Sequence, residues 1–158
     1  MKYCNIAGPV PFLRLLRLLG VTVFLSLTIG CTAAIIHHEP AQAVRVAVEF
    51  AKAAWVHHDY ANASQWVTND DSSGSKTKEI SIKLHPDGIC PISVKATAWE
   101  PVPGTPTIKI FIDGTSPDRK VFHYYLVLVQ DGNTYKVQDV FRSADDTPFQ
   151  KTNLTQNL

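Results

Sequence analysis

The hydrophobic residues of this chain change their spacing near its middle, and this change limits the fold more than any other feature. From residue 41 to 58 nearly every position is apolar, except for one narrow polar stripe: Gln42, Arg45, Glu49 and Lys52. After residue 90, apolar and polar residues alternate, as in strands that bury one face. Helices followed by antiparallel strands predict an α+β domain in which a curved sheet of four or five strands wraps the first helix.

The remaining elements are predicted from local patterns. Asp59 is expected to cap a second short helix, residues 60–67. The segment EISIKL, residues 79–84, alternates and favours a strand, although a helix starting at Lys76 also fits. Four further strands are predicted: residues 92–100, 107–113, 121–130 and 134–142. Ile108, Ile110 and Ile112 should face the core, and Asp113-Gly114 is expected to open a turn.

The first 30 residues have the composition of a secretory signal peptide. A basic segment, residues 1–17, precedes an uncharged stretch of 12 residues, 18–29. The stretch ends in LTIGC, which resembles the lipobox of bacterial lipoproteins, although Thr28 stands where that family prefers leucine. The resemblance implies cleavage between Gly30 and Cys31 and diacylglycerol on the Cys31 sulfur, which would hold the protein at a membrane.

Three other interpretations use the same residues. The uncharged stretch continues to residue 36, and these 19 residues could span a bilayer as an uncleaved anchor. Ordinary signal peptidase could instead cut at Ala41-Gln42-Ala43 and release a soluble protein. A buried core helix of a cytosolic protein is the third alternative, which the basic flank and the polar exit at His37 disfavour.

These observations divide the chain into four parts. We predict a lipoprotein signal peptide at 1–30, a lipidated tether at 31–40, one domain at 41–143 and a frayed polar tail at 144–158. Beyond residue 30 the chain has 12 basic and 14 acidic side chains. Because nucleic-acid binding needs a basic face, this balance argues against a nucleic-acid partner.

Two stretches of the domain resemble a known fold family. The run AVEFAKAAWVHHDYANASQWV, residues 47–67, looks like the opening helices of nuclear transport factor 2-like domains. The run YYLVLVQDGNTYKVQDVF, residues 124–141, is similar to their closing hairpin, with Tyr135 where such proteins often have tryptophan. The resemblance implies a cystatin-like cone, in which a curved sheet surrounds the N-terminal helix.

Some cone-shaped relatives are isomerases, cyclases or dehydratases that use a carboxylate base inside the pocket. Alternation along the last strand places Asp139, Val137 and Tyr135 on one face, so Asp139 is the carboxylate to examine. A bulge or an open rim near the strand end would instead leave Asp139 in water. Because no other motif accompanies this residue, we expect no catalytic site, and the pocket enzyme remains the alternative.

Other reactive side chains lack a pattern that indicates chemistry. Cys90 is the only cysteine after Cys31, so no disulfide can form within the mature chain, and its expected role is packing. The pairs His37-His38 and His57-His58 are adjacent in sequence, and adjacent side chains point apart. His85 and His123 are isolated, and Trp55, Trp66 and Trp99 are expected in the core. We therefore predict no metal site and no cofactor.

The sequence thus predicts a lipid-anchored protein of the bacterial cell envelope, at the outer membrane if the cell is Gram-negative. Its domain is expected to bind a protein partner or a small apolar ligand without catalysis.

Overall fold

Three α-helices pack against a five-stranded antiparallel sheet in the structure, a computed structural model that describes residues 37–68 and 73–158. The helices are α1 (Pro40–Ala51), α2 (Tyr60–Ser64) and α3 (Ser75–Leu84), and a π-helical turn, Lys52–Val56, extends α1. The sheet has the order β4-β3-β2-β1-β5. Its strands are β1 (Ser93–Pro101), β2 (Thr107–Thr115), β3 (Val121–Asp131), β4 (Thr134–Arg142) and β5 (Gln156–Asn157). The predicted α+β class is confirmed.

The first helix starts where the sequence predicts and ends earlier. Pro40 occupies its first turn, where the missing N–H has no helical partner to lose. The α-helix was expected to continue to His58, but beyond Ala51 it widens into the π-helical turn, in which the His57 N–H reaches the Lys52 carbonyl at 2.9 Å. His58 then adopts φ 54°, which ends the helix, and the Asp59 carboxylate caps α2 as predicted by accepting from the Asn62 N–H at 3.1 Å.

The inner face of the sheet, defined as the face that packs on α1, forms the core. Ile108, Ile110 and Ile112 of β2 are fully buried there, as predicted. Phe122, Tyr124, Leu126 and Leu128 of β3 lie on the same face, because the paired residues of neighbouring strands point to the same side. Since α1 contacts β1, β2, β3 and β4, this one helix spans most of the sheet.

The weakly predicted strand at residues 79–84 is wrong, and the alternative helix is confirmed as α3. Ile80 and Leu84 lie one helical turn apart on its half-buried side, whereas Ile82 is 58% exposed. Two polar side chains, Thr77 and Ser81, are buried on the inward side of the helix. Because polar residues occupy inward positions of this helix, its apolar residues, Ile80, Ile82 and Leu84, fall at every second position, which is the spacing expected of a strand.

The turn expected at Asp113-Gly114 is also misplaced. Gly114 pairs with Val94 and Phe122 inside the sheet, and the chain turns later, between Ser116 and Lys120. A Cβ on Gly114 would lie 2.9 Å from the Tyr124 ring and 3.0 Å from Pro91. Glycine is used here for close packing within a strand rather than for a turn.

The C-terminal tail is not frayed. Residues 144–158, called the strap below, cross the outer face of the sheet, which is the face opposite α1. Phe149 packs edge-on against Tyr125 with ring centroids 4.8 Å apart, and β5 pairs with β1 at the far edge. The polar composition of the strap led to the prediction that it is exposed and frayed. Its few anchoring contacts do not recur at regular intervals in the sequence, so no sequence pattern indicates them.

Candidate functional site

A cleft of about 450 Å³ opens where the C-terminal end of α3 meets the end of β4. Its lining combines charged and small or apolar side chains: Lys83, Leu84, Pro86, Asp87, Arg142, Ser143, Ala144 and Asp146. Clefts of this size accommodate small ligands or a few side chains of a protein partner. The sequence predicted none of these eight as a site residue, because they come from two segments that are more than 50 residues apart.

Arg142 forms one wall of the cleft and holds its two sides together. Its Nη1 donates to the Leu84 carbonyl at 2.8 Å, at the end of α3. Its Nε and Nη2 donate to one Asp146 carboxylate oxygen at 3.3 and 3.1 Å. The guanidinium carbon also lies 4.0 Å from the centroid of the Phe122 ring. Arg142 is therefore committed to these contacts and fixes the cleft's shape.

Behind the cleft wall, His85 and Tyr124 form a buried hydrogen-bonded pair. His85 Nδ1 lies 2.8 Å from the Ser81 carbonyl oxygen, which only accepts, so Nδ1 carries the proton. His85 Nε2 is then the acceptor for the Tyr124 hydroxyl at 2.9 Å. The Trp55 ring stacks on Tyr124 with centroids 4.5 Å apart. Both polar side chains are thus satisfied inside an aromatic core.

Burial keeps this pair uncharged at neutral pH. Desolvation lowers the pKa of His85, outweighing the opposing effect of its hydrogen bond to Ser81. Desolvation also strongly raises the pKa of Tyr124. The neutral imidazole accepts a hydrogen bond from the neutral phenol, and both rings are enclosed. The main role of the pair is therefore to pack the core.

The lowered pKa of His85 predicts a loss of stability in mild acid. An unfolded histidine has a pKa of about 6.5, so below this pH the unfolded chain binds a proton that the folded chain excludes. The free energy of unfolding should therefore fall as the pH drops from 7.5 to 5.5. Urea unfolding at both pH values measures it, and His85→Gln should fall less over this interval than the native chain. The exposed His57, replaced by glutamine, is the control and should leave the decrease unchanged; an equal decrease in native and His85→Gln chains would contradict the assignment.

The predicted placement of Asp139 is wrong. The pairing of β3 with β4 slips by one residue at Gln138, so Asp139 pairs with Val127 while Val137 pairs with Leu128. Val137 and Tyr135 stay buried on the inner face, whereas Asp139 is exposed on the outer face. The alternative that a bulge leaves this carboxylate in water is confirmed.

Cys90 is a half-buried thiol near the start of β1. Desolvation raises its pKa, and the nearby Asp87 carboxylate adds to the effect. Since the thiolate is the reactive form, a raised pKa disfavours nucleophilic chemistry at neutral pH. The expectation that Cys90 serves packing rather than catalysis fits this environment.

The adjacent histidine pairs lie just before α1 and just after its π-helical turn. His57 and His58 are exposed, and His58 Nδ1 lies 3.3 Å from the Tyr60 hydroxyl. His37 lies 3.4 Å from a Glu39 carboxylate oxygen. No group of three or more metal-ligating side chains is assembled within residues 37–68 and 73–158.

His123, which is isolated in sequence, has a cross-strand partner. Its Nδ1 lies 2.7 Å from the Asp113 carboxylate, since β2 and β3 place these residues in register. Strand alternation alone did not find this pair, because the register of the two strands has to be known. The pair lies beside the strap, next to Lys151 and Phe149.

Gly30 and Cys31 lie outside the described residues, as do the 19 residues of the alternative anchor. In the part of the chain that the structure describes, no helix is both long enough and apolar enough to cross a membrane. Comparisons of the chain with protein-family models, with curated proteins and with solved structures found no match. The function therefore has to be argued from the residues and their geometry.

Proposed function

We propose that this chain is a lipid-anchored protein of the bacterial cell envelope whose domain binds a protein partner or a small apolar ligand without catalysing a reaction. The observation that carries the binding part is the cleft beside an interior already filled by aromatic side chains. The anchor rests on the LTIGC sequence that ends at Cys31.

The aromatic interior favours a binding module over a pocket enzyme. Trp55, Tyr124, Tyr135 and Phe50 are the largest side chains with less than 2% exposure, and all lie in one core cluster. They fill the space between the first helix and the inner face of the sheet, where a cone-shaped enzyme would hold its substrate. Asp139, the carboxylate that was predicted to lie on this inner face, is exposed to solvent on the outer face of the sheet.

The arrangement of helices and strands is compatible with the nuclear transport factor 2-like cone that we propose for this domain. The helices precede the sheet, α1 lies across β1 to β4, and the closing hairpin consists of β3 and β4. The aromatic side chain of Tyr135 from that hairpin packs into the core, and its hydroxyl accepts from the Glu39 N–H at 3.0 Å.

That hydrogen bond also limits the distance of the domain from its proposed anchor. With residue 39 fixed to β4, nine residues, 31–39, separate the lipid from the folded domain. An extended chain advances at most ~3.6 Å per residue, so this tether spans about 30 Å. The domain would thus bind its partner close to the membrane surface.

The cleft suits a protein partner better than a wholly apolar ligand. Four of its lining side chains are charged: Lys83, Asp87, Arg142 and Asp146. Covering them with an apolar molecule would remove water without supplying hydrogen bonds, at a cost in binding free energy. A protein segment supplies both apolar groups for Leu84 and Pro86 and polar groups for the rim.

We expect Cys31→Ser to abolish lipidation and cleavage of the leader. Without the thiol no thioether to diacylglycerol forms, so the variant should retain its leader and lack the acyl mass. Intact mass spectrometry of protein extracted from membranes measures both properties, with Cys90→Ser as the matched control that should leave the mass otherwise unchanged. A native chain that starts at residue 44, or that keeps Met1, would contradict the lipid anchor.

Binding at the cleft is tested by site-specific photo-cross-linking in intact cells. A benzoylphenylalanine at position 144 inside the cleft should give an adduct of one defined mass, and the same group at the exposed Lys52 should not. Asp87→Arg should weaken the adduct by reversing one rim charge. Equal adducts at both positions, or none at position 144, would contradict a binding role for the cleft.

An isomerase or dehydratase on the same fold is the alternative, and the hydrogen bond between His85 and Tyr124 behind the cleft is the observation in its favour. That role requires the pair to meet substrate. If an activity is found, Tyr124→Phe should abolish it while leaving the fold intact, and an activity that Tyr124→Phe leaves unchanged would exclude this pair from the reaction.

A further inference from the structure

A row of aromatic side chains lies on the outer face of the sheet. Tyr125 stacks on Phe141 with ring centroids 4.6 Å apart, and its ring lies 6.2 Å from that of Phe111. Phe141 remains 42% exposed, and Val121 further along β3 is also exposed. This face therefore offers more apolar surface than the strap covers.

Residues 147–158 of the strap hold to this face through the Phe149 ring, the Thr155 hydroxyl and the main chain of residues 156–158, whereas Asp146 at the start of the strap accepts from Arg142 at the cleft. Phe149 packs edge-on against Tyr125 and lies tilted beside Phe111, with ring centroids 6.4 Å apart. The Thr155 hydroxyl donates to a Glu100 carboxylate oxygen at 2.7 Å, and the Leu158 N–H donates to the Thr97 carbonyl at 3.0 Å. The first two contacts are side-chain contacts six residues apart along the strap, and the last extends the pairing of β5.

The pairing of the strap with β1 is short. Strand β5 has two residues, which pair with Ala98 and Trp99, whereas β1 has nine residues. The side chains of Leu154 and Leu158 are exposed and add little to the attachment of the strap. At the other edge of the sheet, Trp66 and Thr68 already bond to Val137 of β4. The β1 edge is thus the one whose neighbouring strand is short and terminal.

We propose that residues 147–158 of the strap are a displaceable cover, and that the β1 edge together with Phe111 and Tyr125 is the docking site for an extended segment of a partner protein. This inference rests on the proposed binding function and names a second surface for it, separate from the cleft. Strand addition to a sheet edge gains main-chain hydrogen bonds from any extended sequence, and side-chain pockets then provide specificity.

The contacts of the strap define the chemistry of the partner segment. It carries an aromatic residue that takes the place of Phe149, and a hydroxyl-bearing residue six positions later that donates to Glu100. An acidic residue at that second position would be repelled, because Glu100 is buried and already paired with Lys109 at 3.3 Å.

The test uses a fluorescent peptide with the sequence of residues 147–158 and the full-length chain in detergent. The internal strap competes with this peptide, so the apparent affinity is reduced by the fraction of open chains. Phe149→Ala in the chain should therefore tighten peptide binding at least tenfold, as measured by fluorescence anisotropy. A peptide with alanine in place of Phe149 should not bind. Thr155→Val in the chain removes a different strap contact and should also tighten binding. This second variant keeps the test valid if Phe149→Ala misfolds.

Two further measurements can overturn the proposal. Amide hydrogen exchange should be faster at residues 156–158 than in β2 and β3, and equal protection would exclude opening of the strap alone. Concentration-dependent dimers that disappear in Phe149→Ala would make the strap of a second copy the occupant instead of a partner protein. Peptide binding that is absent, or equal in native and variant chains, would also overturn the site, while cross-linking at position 144 would still report separately on the cleft.

Discussion

Replacing Trp55 with alanine is expected to lower the free energy of unfolding by about 3–5 kcal/mol, the range for removing a large aromatic side chain from a packed core. The side chain is fully buried, stacks on Tyr124 and meets the Phe50 ring edge-on with centroids 6.1 Å apart. Its loss leaves a cavity against α1, α3 and β3 together. Urea unfolding followed by circular dichroism measures the change.

The matched control for this prediction is Trp99→Ala. Trp99 lies on β1 and is only partly buried, so the same chemical change should cost clearly less. Trp55→Phe should lie between native and alanine, because the indole N–H has no hydrogen-bond partner in the described part of the chain and its removal carries no further penalty. Equal losses for Trp55→Ala and Trp99→Ala would contradict the central position of Trp55.

The sheet was the most predictable part of the fold. Strand β4 begins and ends at the predicted residues, and the isoleucines of β2 face the core as their alternation indicates. Alternation reports directly which face of a strand is buried, so it carries much of the information that defines an antiparallel sheet. The first helix was equally visible, because its polar stripe marks the one side that contacts solvent.

The errors arise where side-chain polarity and position disagree. In α3, Thr77 and Ser81 are polar yet buried, so the true helical face is hidden in the sequence. At Asp139 one bulged residue exchanges the two faces of β4, and single-residue bulges leave no clear signal in an alternating pattern. Both cases depend on packing between elements, which the local sequence does not contain.

The candidate site was unpredictable for a related reason. Arg142 and Leu84 are 58 positions apart, and the contact between them exists only after α3 has packed beside the end of β4. The bond from Tyr124 to His85 spans 39 positions. Neither pair forms a motif, so these groups became recognisable only from the register of the sheet and the placement of α3.

The second large effect is expected at Gly74, the residue that precedes α3. Its φ is +69°, a left-handed conformation that costs other residues about 1–2 kcal/mol. A Cβ there would also lie 2.5 Å from the carbonyl carbon and oxygen of Tyr60, which belong to the backbone and cannot move independently. Adding about 1–3 kcal/mol for overpacking, Gly74→Ala should lower the free energy of unfolding by about 2–5 kcal/mol.

Gly88 separates the two contributions to this effect. Its φ of +72° is nearly the same, but a Cβ there would meet no heavy atom within 4 Å among the described residues. Gly88→Ala should therefore cost only the conformational part, about 1–2 kcal/mol. Urea unfolding of both variants gives the difference, which measures how closely α3 approaches the backbone of α2. If the two substitutions cost the same, the close approach of Gly74 to Tyr60 would be wrong, and with it the seating of α3 that shapes one side of the cleft.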